Sequence, residues 1–431
     1  MNIIILGYRV SGLDGVSLET VHWKEILTRM GHKVTLVAGE LDREGVLIPE
    51  LHFKWPKVAG IHDRVVYGHE SYEKVEKAIF EVAGNIEGKL RKLLRNDKQC
   101  DLLIVPNVFS IPMHFPLAVA LKRVIEEFSI NTIARHHDFW WERERYNKSQ
   151  LFGFFEKWFP PKISSVKHTV INSLAQKSLK EKTGLESAII SDTFDFKNQK
   201  LTQIDSYSKY FKRDFKIDGD SLVFLQATRI VPRKRVEISI SLLKKLNLPN
   251  AVLVISGNEG DEKKGYLKSI KKLAREFNIN CRFIGDRVNS HRKIVAGSRI
   301  YTLWDAYVNC DFVVYPTAME GFGNQFVESV FFRKPIILTP YEVYKTDIKP
   351  LGFRTLEISP EPSETEIKTI IKVVKEDGVK SQMVDYNFEL GTKYFSYEAK
   401  MIKIEKLLKE FEPSTGVEPV TLPLPRARST N

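Results

Sequence analysis

The run Phe312-Val313-Val314-Tyr315-Pro316-Thr317-Ala318-Met319-Glu320-Gly321-Phe322-Gly323-Asn324-Gln325-Phe326-Val327-Glu328 reads as a strand, a glycine-bearing loop and the first turns of a helix. Phe312 to Tyr315 has the apolar, β-branched and aromatic character of a buried strand. Gly321 and Gly323 permit a tight loop. Asn324 is a favourable N-cap for a helix whose first free amides would come from Gln325, Phe326 and Val327. Unpaired N–H groups at a helix N-terminus are a ready seat for a diphosphate. Glu320 falls before that helix and Glu328 one turn inside it, so the two carboxylates are expected to reach sugar hydroxyls on different sides of the phosphates.

The same alternation extends outward in both directions. Asn2 to Leu6 and Lys33 to Ala38 read as strands, and between them Leu18, Val21, Ile26, Leu27 and Met30 recur at helical spacing, with Gly31 where a C-cap glycine belongs. Further strands are expected at Leu102–Val105, Thr132–Ala134, Thr169–Ile171 and Ala188–Ile190. A second series follows at Leu222–Leu225, Val252–Ile255, Arg282–Ile284, Phe312–Tyr315 and Ile336–Leu338. Strands separated by helix-length segments imply doubly wound parallel sheets. The fold class is therefore α/β, two Rossmann-like domains facing a central cleft. A polar stretch from Asp192 to Asp220 divides them, giving expected units at 1–194 and 195–392. A helix with Tyr397, Met401, Ile404, Leu407 and Leu408 on one side fills 393–411, and a Pro-, Ser-, Thr- and Arg-rich disordered tail is expected over 412–431.

Ligands of open α/β sheets bind beyond the carboxyl ends of the strands, so residues just after strands carry the chemistry. After Leu222–Leu225 comes Gln226-Ala227-Thr228-Arg229-Ile230-Val231-Pro232-Arg233-Lys234. Arg229 and Lys234, five apart across a proline turn, would face a departing diphosphate and stabilise its growing charge. Gly257-Asn258-Glu259-Gly260 and Phe283-Ile284-Gly285-Asp286 also end strands. In the first domain the loop Val10 to Val16 carries Gly12, Asp14 and Gly15 without a G-x-G-x-x-G fingerprint, which argues against a dinucleotide-dependent dehydrogenase. After Thr132–Ala134 runs Arg135-His136-His137-Asp138-Phe139-Trp140-Trp141-Glu142-Arg143-Glu144-Arg145-Tyr146. Its aromatic and arginine side chains would either stack on a sugar and pair with an acidic acceptor, or plug the space under a loop. Adjacent histidines diverge and no third ligand has suitable spacing, so no metal site is expected.

Glu320-x7-Glu328, paired with Arg229-x4-Lys234, resembles the E-x7-E and R-x4-K motifs of retaining GT-B glycosyltransferases of family 4. The resemblance implies that Glu320 contacts the donor sugar, Glu328 the ribose, and Arg229 and Lys234 the pyrophosphate. It places the donor against Phe322, Gly323, Asn324, Gln325 and Phe326, with the base near Gly257, Ile284 and Gly285. Gly12 and Gly15 would approach the phosphates. His137 would line the reaction centre with His136 in reserve, and His136, Asp138, Trp141 and Arg143 would meet the acceptor. One departure is plain: the family usually has glycine after the lysine, and this chain has Arg235.

The implied reaction moves a hexose from a GDP- or UDP-sugar to an acceptor hydroxyl with retention, needing neither cofactor nor metal. Rival readings on this fold are a nucleotide-sugar epimerase or hydrolase, or a non-catalytic nucleotide-sugar binder. The acceptor is expected to be a sugar, a lipid or a small acidic molecule. A formal charge of +12, spread along all 431 residues, fits anionic ligands or peripheral contact with a membrane but forms no nucleic-acid motif. No apolar run reaches the roughly 20 residues of a membrane span and no signal peptide is legible, so a cytoplasmic location is expected, at the inner membrane face if associated. Three widely spaced cysteines suggest buried free thiols.

Overall fold

The computed structural model of the chain describes residues 1–411 except 13, 69, 71, 97–99, 147–150 and 261–264; the expected tail 412–431 lies outside the described residues. Two parallel sheets form. The first contains β1 (Asn2–Gly7), β2 (Lys33–Ala38), β3 (Val46–Leu47), β4 (Leu102–Pro106), β5 (Thr132–His136), β6 (Val166–Val170) and β7 (Ser187–Ile189), in the order β3-β2-β1-β4-β5-β6-β7. The second contains β8 (Leu222–Gln226), β9 (Ala251–Ile255), β10 (Cys281–Phe283), β13 (Phe312–Tyr315), β14 (Ile336–Leu338) and β15 (Leu356–Glu357), in the order β10-β9-β8-β13-β14-β15. A separate antiparallel hairpin, β11 (Lys293–Val295) and β12 (Ser298–Ile300), follows β10. Strands such as Ile3–Leu6 and Val252–Ile255 are buried on both faces, which is why they read as unbroken apolar runs.

Three differences from the sequence reading have local causes. The strand expected at Thr169–Ile171 begins at Val166, because Lys167 and His168 interrupt the apolar pattern yet pair with Ile133 and Ala134. Two-residue β3 and β15 are too short to show any period. The exposed hairpin turns on Ala296 and Gly297, both at positive φ, and carries no core-facing stripe.

In each sheet the order reverses at one place: β2 and β4 flank β1, and β9 and β13 flank β8. Successive helices leave that point on opposite faces, so the crevice opens beyond the ends of β1, β4, β8 and β13. The two units touch. Asn172 Nδ2 donates to the Gly321 carbonyl at 2.5 Å, and the Ser173 N–H donates to Asp347 Oδ2 at 2.7 Å.

The chain passes between the units twice, and the two passages are bonded to each other. Phe194 N–H donates to the Phe395 carbonyl at 2.9 Å. The long helix Asp377–Phe395 stops there, Ser396 caps the next helix, Tyr397–Lys409, and Tyr397, Ile404 and Leu407 pack with Ile3, Ile5, Trp23 and Ile104 of the first unit. Lys400, outside the expected apolar stripe, is fully buried and bonded to Glu19. Glu19 lies 3.3 Å from Arg135, which reaches Asp192 at 3.0 Å. Burying these charges is tolerable only because they are paired and flanked by the Trp23 ring. Of the three free cysteines only Cys310 is buried; Cys100 and Cys281 are half-buried. Among the described residues no helix is long and apolar enough to cross a membrane.

Candidate active site

The loop after β8 is shaped by its backbone. Pro232–Lys234 forms a single 3-10 turn, and the Lys234 carbonyl is held by Gln226 Nε2 at 2.8 Å. Arg235 takes the left-handed conformation, φ 49° and ψ 50°. That is the position where the resembling family carries glycine, and it explains the preference: an L side chain there is strained. Lys234 consequently turns inward and is bonded to Glu320, while Arg233 lies 3.9 Å from the same carboxylate. Burial lowers the Lys234 pKa and the Glu320 charge opposes that shift. Arg229 stands exposed on the same loop.

Glycines lock this loop to its neighbours. A Cβ on Gly257 would overlap the Thr228 carbonyl, and one on Gly285 would overlap Gly257. With no side chain in the way, Ile230 N–H donates to the Asn258 carbonyl at 2.9 Å and Gly260 N–H to the Ile230 carbonyl at 3.2 Å. The ends of β8, β9 and β10 are thereby one rigid rim. The Ile284 side chain is buried, so it can offer a ligand only its backbone.

The helix after β13 spans Asn324–Phe331, and its N-cap is Gly323, not Asn324. Gly323 has φ +112°, and any Cβ there would strike the Tyr341 hydroxyl, which donates to the Phe322 carbonyl at 2.8 Å. The chain therefore turns one residue earlier than a side-chain cap would allow. The first helical amides belong to Asn324, Gln325 and Phe326, the last of which returns to the Gly323 carbonyl at 2.8 Å. Phe322 and Phe326 sit in the core and Gln325 is buried, so these residues can meet a ligand through the main chain alone. Glu328 is 6 % exposed and accepts from the Tyr307 hydroxyl at 2.7 Å. Burial pushes its carboxyl up to about 7, against the opposing effects of the Tyr307 hydroxyl and His22.

Across the crevice, Asp14 caps the helix Gly15–Arg29 by accepting from Ser17 N–H at 3.1 Å, and Arg9 reaches the same carboxylate at 2.9 Å. Gly12 donates its N–H to Asp42 at 2.9 Å. A Cβ on Gly15 would stand 3.5 Å from Asn324 Nδ2. The N-terminal ends of two helices, one from each unit, thus face each other.

The segment after β5 divides sharply. His136 is fully buried, its Nε2 2.9 Å from His168 Nδ1, so it cannot touch an acceptor, and the reserve role and acceptor contact expected of it are withdrawn. His136 is the last residue of β5 and lies on a sheet face stacked on His168 of β6, whereas His137 has left the strand. The His137 carbonyl lies 3.7 Å from where a Cβ on Gly321 would stand. Trp141 stacks on Phe139 at 4.4 Å and donates to Ser178 Oγ, and Trp140 donates to the Phe159 carbonyl, so the aromatic residues of this segment form the plug. Arg143 and Asp138 are bonded to each other, with Arg143 exposed. Asn107, the residue after β4, went unread in the sequence, yet its side chain accepts from the His137 N–H at 2.8 Å. Its signal was available: an asparagine directly after a strand that ends in proline is a turn residue at the crevice.

Two Rossmann-like units whose strand ends face one crevice define the GT-B class of fold, and Anabaena HepE in complex with UDP-glucose shares it with a TM-score of 0.62 at 14 % identity, over 95 % of this chain and 100 % of that one. Residues 208–389 match the family model described as glycosyl transferases group 1. Mannosylglucosylglycerate synthase of Petrotoga mobilis is 34 % identical over 386 residues, 83 % of this chain and 86 % of the relative. The enzyme of the same name from Thermotoga maritima is 30 % identical over 433 residues, 92 % of this chain and 97 % of the relative. The chain belongs to the group 1 glycosyl transferases and is a glycosyltransferase.

Proposed function

We propose that the enzyme moves a mannosyl unit from a GDP- or UDP-linked donor to a hydroxyl of glucosylglycerate, with retention of anomeric configuration, using 195–392 as the donor domain and 1–194 as the acceptor domain. The observation that carries this reading is the gathering of Arg229, Lys234 and Glu320 at the strand-order reversal of the second sheet, beside the Asn324–Phe331 N-terminus. The names of the two relatives supply the substrates. Lys234 and Glu320 hold each other while no donor is bound. On binding, the diphosphate takes Lys234 and Arg229, and a hydroxyl of the transferred sugar takes Glu320. Both cations then face charge that grows as the sugar–phosphate bond breaks. Glu328 holds the ribose, and the main chain around Gly257, Ile284 and Gly285 passes the base. The Asn324 and Gln325 amides and the Gly12–Gly15 loop face the phosphates. His137 lines the reaction centre, with Asp138, Arg143 and the rim of Trp141 on the acceptor side. Two cations and two helix N-termini meet the diphosphate charge without a metal, so turnover is expected to survive chelation.

The test is product analysis with GDP-mannose, UDP-glucose and glucosylglycerate as probes, with the new anomeric linkage read by NMR. Retained configuration in a mannosylated product is expected. Free sugar alone would identify a hydrolase, and an isomerised nucleotide sugar an epimerase. On the productive donor, Arg229→Ala and Lys234→Ala should each lower kcat by about 10² to 10³, while Glu328→Gln should act chiefly on donor KM. Wild-type kcat in both alanine variants would remove the cations from the catalytic step.

A further inference from the structure

We propose that Asn107 is a positioning residue for the transfer: its side-chain oxygen fixes His137 as the Nδ1–H tautomer, so that Nε2 meets the donor sugar as a hydrogen-bond acceptor. The proposal rests on the reading of His137 as a residue of the reaction centre.

The tautomer follows from a chain of donors and acceptors. The His137 backbone N–H lies 2.8 Å from the Asn107 amide and can only donate, so the amide atom it meets is oxygen. That same oxygen lies 3.3 Å from His137 Nδ1. Oxygen cannot donate, so Nδ1 carries the proton and Nε2 carries the lone pair. The other end of the amide agrees, because Asn107 Nδ2 then donates to Asp138 Oδ1 at 3.4 Å. Ser110 Oγ also lies 3.3 Å from this oxygen.

The backbone holds Asn107 for this task. It leaves β4 with φ 57°, a left-handed conformation that asparagine tolerates better than most L residues. Its N–H donates to the Arg135 carbonyl at 2.8 Å, and its carbonyl accepts from Ser110 and Ile111 at 3.3 and 3.2 Å. The residue is thus tied to β5 and to the following turn, and it stands where the strand order of the first sheet reverses.

His137 Nε2 is buried and makes no hydrogen bond among the described residues. A buried nitrogen lone pair costs free energy until a donor reaches it. The loop that carries Glu320 approaches His137 at Gly321, where an added Cβ would stand 3.7 Å from the His137 carbonyl. A hydroxyl of the transferred sugar other than the one that donates to Glu320 can fill this place, since it has a proton to give to Nε2. Burial and the neighbouring Arg135 hold the ring neutral, as an acceptor must be. The Nε2–H tautomer and the imidazolium have no lone pair at Nε2, so neither can accept the proton of that hydroxyl.

The discriminating variant is Asn107→Asp. It keeps an oxygen for both His137 protons but sets a carboxylate beside the ring, which favours the imidazolium. The variant is expected to show a new acidic limb in kcat/KM, falling about tenfold per pH unit below it, where wild type stays level. The limb should vanish in Asn107→Asp combined with His137→Ala. Asn107→Gly, which tolerates the backbone conformation, should lower kcat about tenfold without a new limb. Imidazole ¹⁵N shifts of the folded wild-type enzyme give a reading independent of any variant, and Nδ1–H is expected. A wild-type pH profile for Asn107→Asp, alongside a damaged His137→Ala, would overturn the proposal, as would an Nε2–H signal. Unchanged kinetics in His137→Ala would instead overturn the placement of His137, leaving the donor-site variants of Arg229 and Lys234 to stand or fall separately.

Discussion

Lys234 and Glu328 are both buried ionisable groups, but only Lys234 has an opposite charge bonded to it. Glu328 has a tyrosine hydroxyl instead, and its carboxyl titrates at about 7 against an ordinary 4.5. The folded protein therefore keeps this proton after the unfolded chain has released it. Stability falls as pH rises from 4.5 to about 7, and the loss is complete above that. The shift corresponds to roughly 3 kcal/mol. Glu328→Gln keeps the Tyr307 bond and removes the charge, so it should melt above wild type at pH 8 and show little gain at pH 5, while donor KM worsens. Thermal denaturation at the two pH values checks this, and equal shifts at both would sink it. At this scale the sequence was partly legible. The spacing of Glu320 and Glu328 was plain, but a carboxylate buried against Tyr307 was not, because Tyr307 stands 21 positions earlier, on the helix before β13.

The two helix N-termini that oppose each other across the crevice depend on glycine in different ways. Gly323 needs its left-handed φ and the space in front of Tyr341; Gly15 has ordinary φ and meets only Asn324. Gly323→Ala should cost more than about 1 kcal/mol of stability, through backbone strain and the displaced tyrosine. Gly15→Val should leave the melting temperature near wild type and raise donor KM, since it narrows the slot between the helices. Similar melting temperatures for both variants would show that Gly323 is not strained. These elements were legible as strand, loop and helix, because parallel strands buried on both faces announce themselves as apolar runs. The cap was misplaced by one residue because Asn324 looks like a capping side chain and Tyr341, which forbids anything but glycine before it, lies 17 residues on. The hairpin Lys293–Ile300 stayed invisible for the opposite reason: its exposed strands have nothing to bury.

Among the contacts between the two units is a polar one whose removal is testable. Asp347 receives the first amide of the helix Ser173–Thr183 and its Ser173 hydroxyl. Asp347→Ala should open the crevice, giving a larger radius of gyration without nucleotide and a contraction when a nucleotide diphosphate is added. An identical radius for variant and wild type in both conditions would show that this contact does not set the opening. The double passage of the chain has a consequence of another kind. The core around β1 is finished by Tyr397, Ile404 and Leu407, and the buried Glu19 has no cation from that side until Lys400 arrives. A ribosome reaches Lys409 about 10 to 40 seconds after it has made β7, at roughly 5 to 20 residues per second. For that interval the amino-terminal unit is a nascent domain with an open apolar flank, and its maturation must wait for the whole second unit to be synthesised.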